Sequence, residues 1–172
     1  MSSDLKFPPA NDVAFELCVN GERREITAEA RTHLADVLRE HCGLTATHLG
    51  CEQGVCGACT VEVDGVPQRS CLQSASRFVG RDIRTLEAFA EDALSAALRE
   101  AFSAEHALQC GYCTPGMLIT ARDIVRRLPD ADAERIREEL AGNLCRCTGY
   151  LGIVRAIQRV QKTFHQEGAH EY

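Results

Sequence analysis

The sequence predicts an α+β chain in two parts: a small mixed β-sheet crossed by one helix, then a compact bundle of four helices. Three observations lead there. An alternating apolar run ending at Asn20-Gly21 marks a hairpin near the N-terminus. From Leu94 onward the apolar residues recur at helical spacing. The cysteines form one group in each half, and neither an internal repeat nor a low-complexity segment is present.

The elements follow in order. Val13, Phe15, Leu17 and Val19 share one face of a first strand, and Glu22 to Thr27 return as its partner. A helix starts near Thr32 as N-cap, presents Leu34, Val37 and Leu38 on one face, and stops at Gly43. Thr60 to Val63 and Asp64-Gly65 read as a second hairpin, and the charged stretch around Gly80 to Asp92 as a linker. Leu94, Ala97, Leu98, Ala101, Phe102 and Leu108 mark the first bundle helix. Thr114-Pro115, N-cap and first-turn proline, opens a second that carries Met117, Leu118, Ala121, Ile124, Val125 and Leu128. Ile136, Leu140 and Leu144, with Asp132 as cap, give a third, and Tyr150, Ile153, Val154, Ile157, Val160 and Phe164 a fourth. The two parts run over 12–86 and 87–164, between a flexible extension, 1–11, and a frayed polar tail, 165–172.

Composition excludes several function classes. Of 172 residues, 19 are Lys or Arg and 25 Asp or Glu, a formal charge of −6 with no basic block, which argues against nucleic acid and anionic membranes as partners. Mean hydropathy is −0.19, and no apolar run reaches the length of a membrane span. The polar start, Met1 to Asp12, lacks the pattern of a signal peptide, so a cytoplasmic, reducing compartment is expected. Ten cysteines there point to metal ligation or redox chemistry rather than structural disulfides.

Cys51, Cys56 and Cys59 follow a C-x4-C-x2-C pattern, and Cys71 comes after eleven further residues. This is the plant-type [2Fe–2S] spacing, in which three thiolates sit on one tight loop and the fourth arrives from another element. Gly50, Gly54 and Gly57 are interleaved with the ligands, which lets the backbone come close and turn its N–H groups toward the cluster sulfurs. Zinc sites show two short Cys pairs instead, a poor fit to this triplet, and a Rieske centre needs His ligands that have no counterpart here. The second group, Cys110, Cys113, Cys145 and Cys147, is C-x2-C, thirty-one residues, then C-x-C. By spacing alone it is a thiol redox pair, half a zinc site or a four-thiolate metal centre; its place on two inter-helix corners favours the last.

Three long segments resemble one family. Gly50-Cys51-Glu52-Gln53-Gly54-Val55-Cys56-Gly57-Ala58-Cys59-Thr60-Val61 is similar to the N-terminal cluster loop of the molybdenum hydroxylases, which include xanthine dehydrogenase, aldehyde oxidoreductase, carbon monoxide dehydrogenase and nicotine dehydrogenase. Gln109-Cys110-Gly111-Tyr112-Cys113-Thr114-Pro115-Gly116-Met117 and Asn143-Leu144-Cys145-Arg146-Cys147-Thr148-Gly149-Tyr150 resemble its other two signatures. The resemblance runs from about Phe15 to about Val160. It implies a β-grasp ferredoxin-like [2Fe–2S] domain followed by a four-helix-bundle domain with a second [2Fe–2S] cluster. It implies an electron-transfer subunit that turns over no substrate alone. Its partners would be a large molybdopterin subunit and a medium FAD subunit, in a dimer of heterotrimers. By position it places Gln109 and Cys147 near the pterin. The family pattern often has Phe where Tyr112 stands, and polar residues where Leu151-Gly152 follow. An independent two-cluster ferredoxin and a zinc-binding interaction module are the rival readings.

The remaining candidates have plainer roles. Cys18 is expected as a small buried thiol on the core face of the first strand, and Cys42 similarly at the end of a helix. The six histidines are expected at the surface or as structural groups, and Arg146 as charge compensation between thiolates or a partner contact. Helix N-termini at Thr114 and Thr148 are expected to offset the negative charge of the second site.

Overall fold

Asn20 and Gly21 both adopt positive φ (54° and 80°), the backbone of a tight primed turn, and so join β1 (Asp12–Val19) to β2 (Glu22–Glu29) in an antiparallel pair with Phe15 opposite Ile26. Asp64 and Gly65 do the same between β3 (Thr60–Val63) and β4 (Val66–Arg69). These features belong to a computed structural model that describes residues 11–166. Most of the expected N-terminal extension and tail therefore lies outside the described residues, while the last helix continues to Gln166.

The expected linker is not one. It contains β5 (Asp82–Arg84), which pairs parallel with β1 and antiparallel with β3 and so joins the two hairpins into one sheet of order β2-β1-β5-β3-β4. Three residues are too few to display a period of two, and Ile83 is the strand's one apolar residue. Its position is enforced by backbone partners: Asn20 N–H donates to Ile83 O (2.8 Å) and Asp64 N–H to Asp82 O (2.9 Å). The Asn20 amide also grips Thr85 in both directions.

One helix lies against this sheet. His33, not Thr32, caps α1 (Leu34–Asp36), its Nδ1 accepting from Asp36 N–H at 3.1 Å, and the helix widens into a π-helical turn over Val37–His41. Leu34, Val37 and Leu38 are fully buried against Leu17, Val19, Val61, Val63 and Ile83. Cys18 departs from expectation: alternation along β1 turns it away from Leu17 and Val19, and it is half-buried outside that core. Cys42 packs at the edge of the core, where burial raises its thiol pKa.

Four helices build the second core: α2 (Ala93–Ala104), α3 (Thr114–Arg127), α4 (Ala133–Glu139) and α5 (Leu151–Gln166). Asp92 and Asp132 cap α2 and α4, accepting from Ser95 and Arg135 N–H. Cys113, not Thr114, occupies the N-cap position of α3; Thr114 is its first residue, and Pro115 lies in the first turn as expected. Leu108 and Leu144 fall beyond helix ends and are exposed, and Tyr150 precedes α5 at φ +67°.

α3 also packs across β3, where a buried cation ties the halves together. Arg122 donates to Glu62 Oε2 (3.0 Å) and, through Nε and Nη2, to both oxygens of Asp92 (3.2 Å each), with its guanidinium 4.2 Å from the Phe89 ring centre. Arg122 and Glu62 side chains are each 7% exposed. Removing one partner of such a pair strands a buried charge, so Arg122→Met is expected to cost about 3–5 kcal/mol in urea unfolding. Loss of the exposed Arg135 should cost under about 1 kcal/mol. Burial would raise the Asp92 pKa, but hydrogen bonds from Arg122 and Ser95 outweigh it and hold the carboxyl below its ordinary range. The resulting stabilisation is complete above the unfolded-chain value, about pH 4, and fades as pH falls through the lower folded value. Unfolding of Asp92→Asn measured from about pH 6 to pH 3 should lack that acid-side loss.

Candidate metal centres

The first cysteine group is assembled by the segment between α1 and β3 together with the residue pair after β4. Ser70 tethers the two: its N–H (3.3 Å) and hydroxyl (2.7 Å) both donate to Cys59 O, which sets Cys71 beside Cys59. Cys59 and Cys71 are buried with Ala35 and the partly buried Leu49. Gln53 and Cys56 N–H donate to Cys51 Sγ (3.4 and 3.3 Å), and these two bonds lower its thiol pKa to about 7. Burial, with the neighbouring Cys59, pushes Cys71 up to about 11, although Gly54 N–H donates to it. Gly54 turns at φ +74° beneath Leu72, and a Cβ there would stand 2.7 Å from the leucine. Gly50 has 3.2 Å between its Cβ position and Cys56 Sγ.

The second group sits on two corners of the bundle. Cys110 and Cys113 lie before α3, Cys145 and Cys147 before α5. Cys110 and Cys147 are exposed with their sulfurs 3.6 Å apart, while Cys145 is buried and Cys113 half-buried. Burial drives Cys113 up to about 12, with Cys145 and Cys110 adding to the effect. Cys145 moves the other way. Burial alone would raise it, but the Thr148 hydroxyl, 3.2 Å from its sulfur, and the N–H groups of Cys147 and Thr148 win and lower it. Thr148 thus acts through its hydroxyl and its own N–H, and lies ahead of the first residue of α5, Leu151. Tyr150 braces this corner, its hydroxyl accepting from Cys145 N–H (2.8 Å) and donating to Asn143 O (3.0 Å). Gln109 Nε2 donates to Cys147 O at 2.9 Å, so its side chain holds the outer corner.

The two groups meet. Cys56, Cys110, Cys113, Cys145 and Cys147 line one cavity of about 220 Å³, with Arg146 at its wall. Leu144 N–H donates to Cys56 O at 2.8 Å, directly joining the two cysteine segments. The approach is backbone on backbone: a Cβ on Gly116 would stand 2.2 Å from Gly57 O, and one on Gly57 would stand 2.4 Å from Gly142 O. Asn143, buried, accepts from Thr120 (3.1 Å) and Arg69 (3.2 Å) and donates to Gly57 O (3.3 Å). Arg69 also reaches Gly142 O (2.5 Å) and Thr60 Oγ1 (2.7 Å). The sequence pattern assigned no role to Asn143, present only as the first residue of the third motif, or to Arg69; the available hint was their position, two residues before Cys145 and Cys71.

The donor chemistry fits iron–sulfur clusters. Each site offers four thiols, which fall into pairs: Cys51 with Cys56, Cys59 with Cys71, Cys110 with Cys147, and Cys113 with Cys145. Two pairs per site suit two metal atoms held side by side. Among the described residues no three His, Cys, Asp or Glu side chains converge as around one metal ion. Thr114 Oγ1, buried and next to Cys113 in sequence, has no hydrogen-bond partner among the described residues and can serve as a donor to a bound group.

Comparison with known proteins agrees with this chemistry. The family model for a "2Fe-2S iron-sulfur cluster binding domain" matches residues 17–79, and that for a "[2Fe-2S] binding domain" matches residues 85–158. The chain is 50% identical over 150 residues to the caffeine dehydrogenase subunit gamma of Pseudomonas sp. (strain CBB1), covering 86% of this chain and 90% of that one. It is 50% identical over 149 residues to the nicotine 6-hydroxylase small subunit of Paenarthrobacter nicotinovorans, covering 87% and 90%. A chain of quinoline 2-oxidoreductase from Pseudomonas putida 86 superposes with a TM-score of 0.84 at 46% identity, over 91% of this chain and 98% of that one.

Because a side chain at Gly116 must displace the Gly57 carbonyl, Gly116→Ala is expected to lower both thermal stability and the iron bound at the Cys51–Cys71 site. Iron and labile-sulfide assays with a melting curve check this; full iron at an unchanged Tm would contradict the close-approach argument.

Proposed function

The chain belongs to the family of [2Fe–2S] subunits of the molybdenum hydroxylases of xanthine dehydrogenase and aldehyde oxidoreductase type, and from that premise we propose that it is the electron relay between a molybdopterin centre and FAD. In this reading the units 12–86 and 87–164 each hold one cluster. Cys51, Cys56, Cys59 and Cys71 ligate the first, and Cys110, Cys113, Cys145 and Cys147 the second. When bound, the clusters supply one-electron transfer, which the protein's own side chains cannot.

The chain's residues position and tune. Gln53 and Cys56 N–H bonds to Cys51 Sγ, and the Thr148 hydroxyl on Cys145, favour the thiolate forms that a metal requires. Cys59, Cys71 and Cys145 are buried and shield their side of each site from water. Cys110 and Cys147 are exposed, with Gln109 fixing the Cys147 carbonyl, so the second site faces outward where the pterin of a large subunit would lie. The observation that carries the relay is the joint between sites: one cavity shared by Cys56 and the second group, with the Leu144–Cys56 hydrogen bond joining the two cysteine segments.

A permanent partner is favoured over a free ferredoxin shuttle by exposed apolar residues close in sequence to the second cysteine group: Leu108, Leu144 and Leu151 are 40%, 47% and 51% exposed. The paired thiols and the two cluster-domain matches weigh against a zinc module. The assembly is accordingly a large molybdopterin subunit, a medium FAD subunit and this chain, as a dimer of heterotrimers in the cytoplasm. No helix among the described residues is long and apolar enough to cross a membrane. The names of the relatives, for caffeine, nicotine and quinoline, support a nitrogen heterocycle as the substrate class of the complex.

Cys147→Ser should abolish the second cluster's EPR signal, spare the first, and stop substrate-driven flavin reduction in the complex. Cys56→Ser should do the converse to the signals. Loss of both signals in each variant would contradict two separable sites.

A further inference from the structure

Tyr112 lies between Cys110 and Cys113, yet its side chain lands on the other cysteine segment. Its hydroxyl donates to Leu49 O at 2.5 Å, and its ring edge is 3.6 Å from the Cβ position of Gly50, the residue before Cys51. His48 returns the grip. Its ring stacks on Tyr112 at 4.8 Å between centres and 28° between planes, and because Tyr112 O can only accept, His48 Nδ1–H is the donor in their 2.8 Å hydrogen bond. Residues 48–50 thus hold one tyrosine by hydroxyl, ring face and carbonyl.

This clamp does little for burial, since Tyr112 is 49% exposed. The halves of the chain are already fastened by Arg122 and Asn143, so stability does not explain a three-point grip at the rim. It spans the gap between the two ligand segments, in addition to the Leu144–Cys56 and Asn143–Gly57 bonds. A phenylalanine would keep the stack but lose the bond to Leu49, and an aliphatic residue would lose both.

We propose that Tyr112, held by His48 and Leu49, is the positioning residue that fixes the separation of the two iron–sulfur sites and through it their electronic coupling. The proposal rests on the two-cluster reading above. The test is low-temperature EPR of the fully reduced complex, in which mutual magnetic splitting of the two signals reports their separation, with iron measured per chain. Tyr112→Leu should narrow or abolish the splitting while iron for both clusters is retained, and Tyr112→Phe should lie between it and the unaltered protein. Unchanged splitting in fully loaded Tyr112→Leu overturns the proposal. If that variant loses iron, His48→Ala decides, because it replaces no residue of the Cys110–Cys113 corner: narrowed splitting supports the clamp and unchanged splitting overturns it. Iron for only one cluster in the unaltered complex would instead defeat the two-cluster reading, and the clamp with it.

Discussion

Gly57 and Gly116 bring two backbones closer than any side chain would permit, and the arrangement of the cysteines depends on that contact. It places the first cysteine loop against the start of α3, and Asn143, Arg69 and Thr120 then close the seam with hydrogen bonds to main-chain carbonyls and to one another. The same contact sets Cys56 O opposite Leu144 N–H, one residue from Cys145. Two sites far apart in sequence thereby become neighbours. Arg122, buried between Glu62 and Asp92, ties α3 to the sheet.

The thiols themselves are not uniform. Burial disfavours the thiolate at Cys71 and Cys113, whereas N–H and hydroxyl donors favour it at Cys51 and Cys145. Each site therefore combines a thiol whose thiolate form is favoured by hydrogen-bond donors with one whose thiolate form is disfavoured by burial. Loading such a site releases protons and couples metal binding to folding. The exposed pair, Cys110 and Cys147, leaves the second site half open, and the exposed apolar Leu108, Leu144 and Leu151 lie close to its cysteines in sequence.

Much of this was readable in the residues. The two hairpin turns, the four bundle helices, the buried faces of β1 and α1 and the grouping of the cysteines follow from local spacing, because each is set by neighbours within a few positions. What escaped was set from a distance. β5 is three residues long and owes its strand geometry to Asn20 and Asp64. Thr114 resembles a cap, but the turn through Cys110–Cys113 shifts the helix start by one residue. Cys18 lies opposite Leu17 in the pleat, a consequence of strict alternation that its apolar character disguised. Asn143 and Arg69 carry no periodicity, and their importance exists only once the two cysteine segments are packed together.

On the proposed reading, one chain carries two clusters and serves a molybdenum enzyme. The most direct measurement is the composition of the native complex purified with this chain: molybdenum, flavin, iron and labile sulfide, each per copy. The account predicts about four irons and four sulfides on this chain, with molybdenum and FAD on two co-purifying subunits. A chain that purifies alone with its iron would contradict the fixed partnership, and zinc without sulfide would contradict the clusters themselves.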